Sequence, residues 1–427
     1  MTSILLNSTE NSATVQVVND STKADLSYEV KPPLPELFVG TPLKVQPYSA
    51  PSTLENNYIT YQIPKEGCFQ DSMIELRFSI IAGVNGADDN FFLDDGWSGL
   101  ELIDRIELRT SSITLQTFHG ESMRARVKNM PLNKKISVLK NAALRTVAGD
   151  ALVAHDTKVP AGASAGYSVS IPIFNFMTEQ GNMLEALRCY LPKVEQLYIY
   201  VHFRPLVSMR FNADALITSV PYVSAYLYMN RLTMSQKTTN EIVSKNSTAS
   251  ADQSKGIIMA YDYQRFTKAL DTVTTTTFTH TITQAIRRTW IFLQPITGAG
   301  SSDLCNIDTI TIDLNGTKLI DAEKRRMINY NSEVGDNCLL TIKPYTATPD
   351  ALILDKFTPV CIDWCKFPEM YNLFSGVVSF SQIPNVGITI TYPTVTTATN
   401  YNMVVVHETV STISLTEQGY FVLTSMT

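Results

Sequence analysis

A chain of 427 residues is too long for one ordinary hydrophobic core, so two domains or two fused repeats are expected. Hydrophobic residues make up 44% and charged residues only 17%, against about 25% in the usual soluble protein, which suggests an exterior covered in good part by other subunits. A net charge of −6, with Lys23 and Lys31 the only cations in residues 1–31, excludes a nucleic-acid binder working through a basic N-terminal arm.

Residues 1–50 are polar and then proline-rich (KPPLPELFVGTPLKVQPYSAP), which predicts an extended arm. The opening MTSILLNSTENSATVQVV does not read as a signal peptide, and no run of 18 apolar residues predicts a membrane helix. From Tyr58 the texture turns to strands. In SMIELRFSII, Ile74, Leu76 and Phe78 alternate with Glu75, Arg77 and Ser79, so one face is buried and the other wet. IDRIELRT and ITLQTF follow, separated by a Ser-Ser turn. GESMRARVKNMPLNKKISVLKNAAL predicts two helices, the second starting at Pro131. Residues 145–166 read as a loop. Strands resume at GYSVSIPIF, a short helix is expected at GNMLEALRCYL, and EQLYIYVHFRP and VPYVSAYLYMNRL close the first half.

Residues 233–265 are polar and read as a linker, so the expected division is an arm at 1–50, a first sandwich at 51–232 and a second at 266–427. The second half restarts the strand texture with TTTTFTHTITQ, RRTWIFLQP, NIDTITIDLNG and TKLID. A helix is expected at DAEKRRMINYN, then strands at PVCIDWC, SGVVSFSQIPNVGITITYP, YNMVVVHETV and GYFVLTS. The halves match in order. LELIDRIELRTSSITLQTFHGESMRARV parallels LCNIDTITIDLNGTKLIDAEKRRMINY, and SVSIPIF, EQLYIYVHF and YVSAYLYMN parallel GVVSFSQI, VGITITY and MVVVHETV. Such a duplication predicts an all-β chain with short helical insertions: two tandem eight-stranded antiparallel jelly-roll sandwiches.

Candidate chemistry is sparse. His202 and His407 are expected on corresponding strands as packing residues, and none of the five histidines has a ligand-like spacing. Cys361 and Cys365, in CIDWC, would lie about 13 Å apart along a strand, too far for one metal. The six cysteines read as buried free thiols. Asp88, Asp89, Asp94 and Asp95 form an acidic loop, a weak calcium candidate without EF-hand spacing. Arg287–Arg288 and Arg325–Arg326 read as surface basic pairs. No cofactor motif is present, and no catalytic residue is assigned.

Four segments resemble the double jelly-roll major capsid proteins, the lineage of adenoviral hexons, tailless lipid-containing phages, virophages, polinton-like elements and nucleocytoplasmic large DNA viruses. GWSGLELIDRIELRTSSITLQTFHGESM is similar to that family's strand-turn-strand ending in an aromatic-Gly-Glu step, here Phe118, Gly120 and Glu121. YSVSIPIFNF through YIYVHFRPL is similar to its proline-bearing and long alternating strands, with Pro172 and Phe203. YVSAYLYMNRL resembles the strand that closes its first jelly roll. KFPEMYNLFSGVVSFSQIPNVGITIT and the strand after it resemble its Ser-Gly-x-x-x-Phe-Ser signature, here Ser375, Gly376, Phe380 and Ser381. The family's usual arginine is Gln382 here. The likeness spans residues 58–232 and 275–425.

The resemblance implies a structural protein, not an enzyme: a pseudo-hexagonal homotrimer tiling an icosahedral virion shell. It further implies synthesis in the host cytoplasm or nucleus. The implied partners are copies of itself, penton and minor capsid or cement proteins, and an internal membrane in some relatives. No specific nucleic-acid binding is expected. The competing reading is a tandem β-sandwich carbohydrate-binding or other secreted interaction protein, which predicts exposed aromatic platforms.

Overall fold

The alternating segments become strands because each buries one row of side chains and leaves the other wet. The computed structural model of the chain describes residues 3–9, 12–18, 26–30, 39–65, 68–83, 89–90, 98–128, 130–148, 152, 158–159, 162–173, 187–188, 195–206, 217–233, 258–270, 274–295, 307–323, 340–342, 352–354, 359–366, 376–380, 386–392, 401–415 and 421–425. The first half forms a sandwich. Its long sheet runs, in spatial order, β10 (Arg145–Thr146), β12 (Ser164–Pro172), β6 (Cys68–Ala82), β16 (Tyr222–Thr233) and β4 (Val39–Val45). β13 (Leu187–Arg188) and β15 (Ile217–Ser219) also pair with β6. The short sheet runs β5 (Tyr58–Gln62), β14 (Tyr198–Phe203), β8 (Ile103–Arg109) and β9 (Thr114–His119). Register aligns the apolar rows. Ile59, Val201, Ile106 and Phe118 lie side by side across the short sheet, all buried. Val169, Leu76 and Ala225 form a matching row across the long sheet.

The second half repeats the plan. Its long sheet runs β24 (Val360–Asp363), β19 (Ala285–Pro295), β27 (Tyr401–Leu415) and β17 (Ile258–Ala269). β25 (Val378–Ser379) pairs with β19 and β28 (Phe421–Ser425) with β27. The short sheet runs β18 (Thr275–His280), β26 (Val386–Thr391), β20 (Thr309–Leu314) and β21 (Thr317–Glu323). Phe278, Ile388, Ile312 and Ile320 form its apolar row. The order β12-β6-β16-β4 is matched by β24-β19-β27-β17, and β5-β14-β8-β9 by β18-β26-β20-β21.

Helices α1 (Ser98–Glu101), α2 (Gly120–Lys128) and α3 (Leu132–Ala142) belong to the first half, with Pro131 directly before α3. The proline ring presets a helical φ where no backbone donor is needed. In the second half, β22 (Leu340–Ile342) and β23 (Leu352–Leu354) form a hairpin in the corresponding insertion, and α3 packs against β22. β7 (Asp89–Asn90) pairs with β11 (Lys158–Val159).

The structure departs from the sequence expectations at definite places. Within residues 1–50, β1 (Ser3–Thr9), β2 (Ser12–Val18) and β3 (Leu26–Val30) make a three-stranded sheet, and β4 joins the first sandwich. Leu43 and Val45 pack against the core, and Pro42 is tolerated because β4 is an edge strand. β17 begins inside the stretch expected as a linker. Of the helix expected at GNMLEALRCYL, Leu187–Arg188 form a strand paired with Phe69 and Cys68, and the remainder lies outside the described residues. Of the helix expected at DAEKRRMINYN, Asp321–Glu323 end β21 and the remainder lies outside the described residues. YSVSIPIF corresponds to β24, not to SGVVSF: β12 and β24 hold equivalent places beside β6 and β19. His202 and His407 sit on β14 and β27, which are not equivalent strands.

The second long sheet is covered on both faces. Ile291, Leu293, Val360, Ile362, Met403 and Val405 point into the second core. Trp290, Phe292, Cys361, Val404 and Val406, alternating with them, point the other way and join the core cluster of the first sandwich. Full burial of side chains this large contributes on the order of 1.5–3 kcal/mol each. The two halves are therefore welded by a shared apolar layer.

Candidate functional site

The junction between the sandwiches gathers most of the buried charge among the described residues. It starts where β9 turns into α2. Phe118, the last inward residue of β9, has its ring 4.6 Å from Tyr263 of β17, which stacks on Trp290 at 5.9 Å. Gly120 follows two residues later. A Cβ there would lie 2.0 Å from the Ile103 carbonyl oxygen, so only glycine lets the chain fold into the helix this close to β8.

Glu121 then enters the first turn of α2, where the helix dipole favours an anion. It is buried and bridges both halves. Arg204 of the first half donates from Nη2 to Oε1 at 3.1 Å and from Nε to the Ile103 carbonyl at 3.1 Å. Arg265 of the second half donates to Oε2 at 3.0 Å, and Gln294 reaches Oε1 at 3.4 Å. Burial alone would push the Glu121 carboxyl up; Arg204, Arg265 and Arg124 outweigh it and hold it at about 2. Neighbouring His119 is pushed down to about 4, by burial first and by the charge of Arg265 second.

A second polar strand of the junction runs beside it. Arg126 of α2 donates to the Tyr263 hydroxyl at 3.2 Å, which donates to Glu408 of β27 at 2.9 Å. Arg287 Nη1 lies 3.5 Å from the other Glu408 oxygen. The Thr117 backbone N–H donates to Asp262 at 2.7 Å, tying β9 to β17. Burial pushes the Asp262 carboxyl up, against that hydrogen bond and one from Tyr263. These groups hold one another across the junction. They fix two sandwiches in one relative setting.

Of the sequence-predicted site residues, Phe118, Gly120 and Glu121 meet at this junction. Phe203 is buried at the end of β14, its N–H bonded to the Asn57 carbonyl at 2.9 Å. Pro172 ends β12 opposite Met73. Phe380 is buried edge-on to Trp364 at 5.7 Å, and Gly376 has φ +126°, where a side chain would be strained. Pro172, Phe380 and Gly376 stand away from the junction. Ser375, Ser381, Asp88, Asp94 and Asp95 lie outside the described residues, and Asp89 has its backbone in β7, opposite Val159. Among the described residues no three His, Cys, Asp or Glu side chains are grouped to hold a metal.

Arg287 and Arg288, expected on the surface, are 2% and 5% exposed. Arg288 pairs with Asp363 at 2.8 Å across the β19–β24 ladder. Arg325–Arg326 lie outside the described residues. Cys361 is a buried free thiol and Cys365 a half-buried one. Sequence reading missed Arg204, Arg265, Tyr263, Asp262 and Glu408. The available signal was a carboxylate, Glu408, close after the apolar run MVVV of a strand that shows no wet face, which a buried partner explains.

Two sandwiches that share one order of eight strands, with a shared buried layer, define the fold as a double jelly roll. Several solved structures that superpose on it are viral major capsid proteins. The VP54 protein of PBCV-1, as fitted into a reconstruction of the virophage Sputnik, superposes with a TM-score of 0.62 at 11% identity, over 92% of this chain and 98% of that one. The Faustovirus major capsid protein gives 0.61 at 12% identity over 91% of each chain, and the mavirus major capsid protein 0.50 at 10% over 90% of each. No protein-family model and no curated protein sequence matches the chain.

Proposed function

We propose that the chain is the major capsid protein of an icosahedral DNA virus or virus-like element, a wall-building subunit rather than an enzyme. It assembles as a homotrimer whose six sandwiches make a pseudo-hexagonal capsomer, and capsomers tile the shell of the virion. Its partners are other copies, penton proteins and minor or cement proteins, with an internal membrane as a further neighbour. The division into arm, first sandwich, linker and second sandwich serves that role. The observation that carries this reading is the duplicated fold itself, matched over nine-tenths of the chain by major capsid proteins. The fixed junction supports it, because a lattice built from six sandwiches needs each pair held at one setting.

Sedimentation of the purified full chain tests the reading. The expected species has three times the mass of the 47.5 kDa chain, and electron microscopy should reveal hexagonal particles or shells. A second reading, a carbohydrate-binding module, draws on the outward row of Tyr58, Tyr200 and Tyr198, with Tyr48 beside it and 69% exposed. A monomer that binds glycans at this row would replace the capsid reading.

A further inference from the structure

The hairpin that joins β20 to β21 carries Asn315-Gly316 at its tip. Leu314 pairs with Thr317 on either side, and the two loop residues have φ +50° and +86°. Two left-handed residues in succession make the tight turn whose twist suits a hairpin, and Asn-Gly is a sequence that adopts it readily. Both residues are exposed, and a Cβ built on Gly316 would meet nothing within 4 Å. β20 is the sole strand partner of β21 among the described residues, so the hairpin lies at a sheet edge, where local opening costs little.

An exposed Asn-Gly step has covalent chemistry of its own. The Gly316 nitrogen can bond to the side-chain carbonyl carbon of Asn315. The carbon–nitrogen bond of the carboxamide then breaks, and the proton lost from the Gly316 nitrogen is balanced by the one that leaves with ammonia. Water opens the resulting five-membered imide at either carbonyl, giving aspartate or isoaspartate. No oxidant, reductant or cofactor enters.

One contact opposes the first step. The Gly316 N–H donates to Asp313 Oδ1 at 2.6 Å. The nitrogen must shed this proton to attack, and both the deprotonated amide and the tetrahedral oxyanion after it are negative. A carboxylate at hydrogen-bond distance holds the proton in place and repels the charge that develops.

We propose that Asn315 is a site of spontaneous deamidation gated by Asp313, held back while the hairpin is closed and released when its tip opens. The change is lasting. Isoaspartate adds a carbon to the main chain, which the two-residue turn between Leu314 and Thr317 does not accommodate. Either product sets a second carboxylate close to Asp313, while the nearby cation, Lys318, is already engaged with Asp321 at 2.9 Å. The inference concerns the chain alone and stands whether or not the chain builds a shell.

The test incubates the full chain in mildly alkaline buffer, native and in urea, and follows the tryptic peptide ending at Lys318 by liquid chromatography and mass spectrometry. Aspartate and isoaspartate at position 315 should accumulate in urea and far more slowly in the native chain. Asp313→Ala should speed the native reaction about tenfold, as loss of one charge-assisted hydrogen bond predicts, and leave the rate in urea unchanged. Asp313→Asn keeps an acceptor for the Gly316 N–H and removes only the charge; it should also be faster than the unmodified chain. If Asp313→Ala alone is faster, loosening of the tip sets the rate and gating by the carboxylate fails. Equal rates in the native and unfolded chain, no product at position 315 in urea, or a native rate unchanged in Asp313→Ala would each overturn the inference.

Discussion

Glu121 concentrates the consequences of burying charge. Its two arginines come from opposite halves, so Glu121→Gln strands the buried Arg204, only 3% exposed, and weakens the tie to Arg265. Breaking a buried pair in this way costs about 3–5 kcal/mol, measurable as a drop in the denaturation midpoint. Gly120→Ala is expected to cost about 3 kcal/mol for a different reason, a Cβ driven against the Ile103 carbonyl. Acid acts on the same place. Both His119 and Glu121 have native values below their ordinary 6.5 and 4.5, so the unfolded chain takes up each proton first and stability falls on acidification. The His119 share is lost between pH 6.5 and about 4, and the Glu121 share between pH 4.5 and about 2. Asp262, pushed up by burial, acts oppositely, its contribution fading as pH rises through its native value. The urea midpoint should therefore be flat from pH 7 up to the range where tyrosines ionise, since burial raises Tyr61, Tyr167 and Tyr222, and decline below 6.5. His119→Gln should flatten the upper limb alone; an unchanged curve would remove His119 from the account.

Among the elements, β19 and β27 bear the greatest load, because each is buried on both faces. Trp290→Ala should cost about 3–5 kcal/mol through the cavity it leaves at the junction, more than a truncation of exposed Leu319. Comparing denaturation midpoints of the two variants checks this. The same feature explains what the sequence disclosed and what it hid. Strands with one wet face, such as Tyr198–Phe203 and Val386–Thr391, declared themselves by alternation. TWIFL and MVVVHETV read as strands only through their β-branched and aromatic content, and nothing local indicates that Trp290 and Ile291 serve different cores. β4 was hidden by Pro42 and the prolines that flank it in sequence, and the pairing of Leu187–Arg188 with β6 by the helix-forming composition of the sequence around it. The Phe118-Gly120-Glu121 step was visible as a pattern. Its partners Arg204 and Arg265 were not, because they come from residues 83 and 144 positions away from Glu121.

At the scale of the whole molecule, the first 50 residues divide at β4. Deleting residues 1–30 removes the separate β1–β3 sheet and should leave the melting temperature and the assembled mass unchanged while impairing shell formation. Deleting residues 1–45 also strips β4 from the first long sheet, uncovering the β16 edge, and should lower the melting temperature as well. Shells forming at equal yield from the shorter deletion would deny the arm any role in the lattice. The shared apolar layer has a further consequence, for the order in which the chain is made. The N-terminal sandwich leaves the ribosome first and can complete its own core except at the β9–α2 edge. The later half then closes Trp290, Phe292, Val404 and Val406 onto a template already in place. Synthesised alone, residues 258–427 would present that row to water and precipitate. Co-synthesis with residues 1–233 should return them to the soluble fraction, making the first half in effect a built-in chaperone for the second.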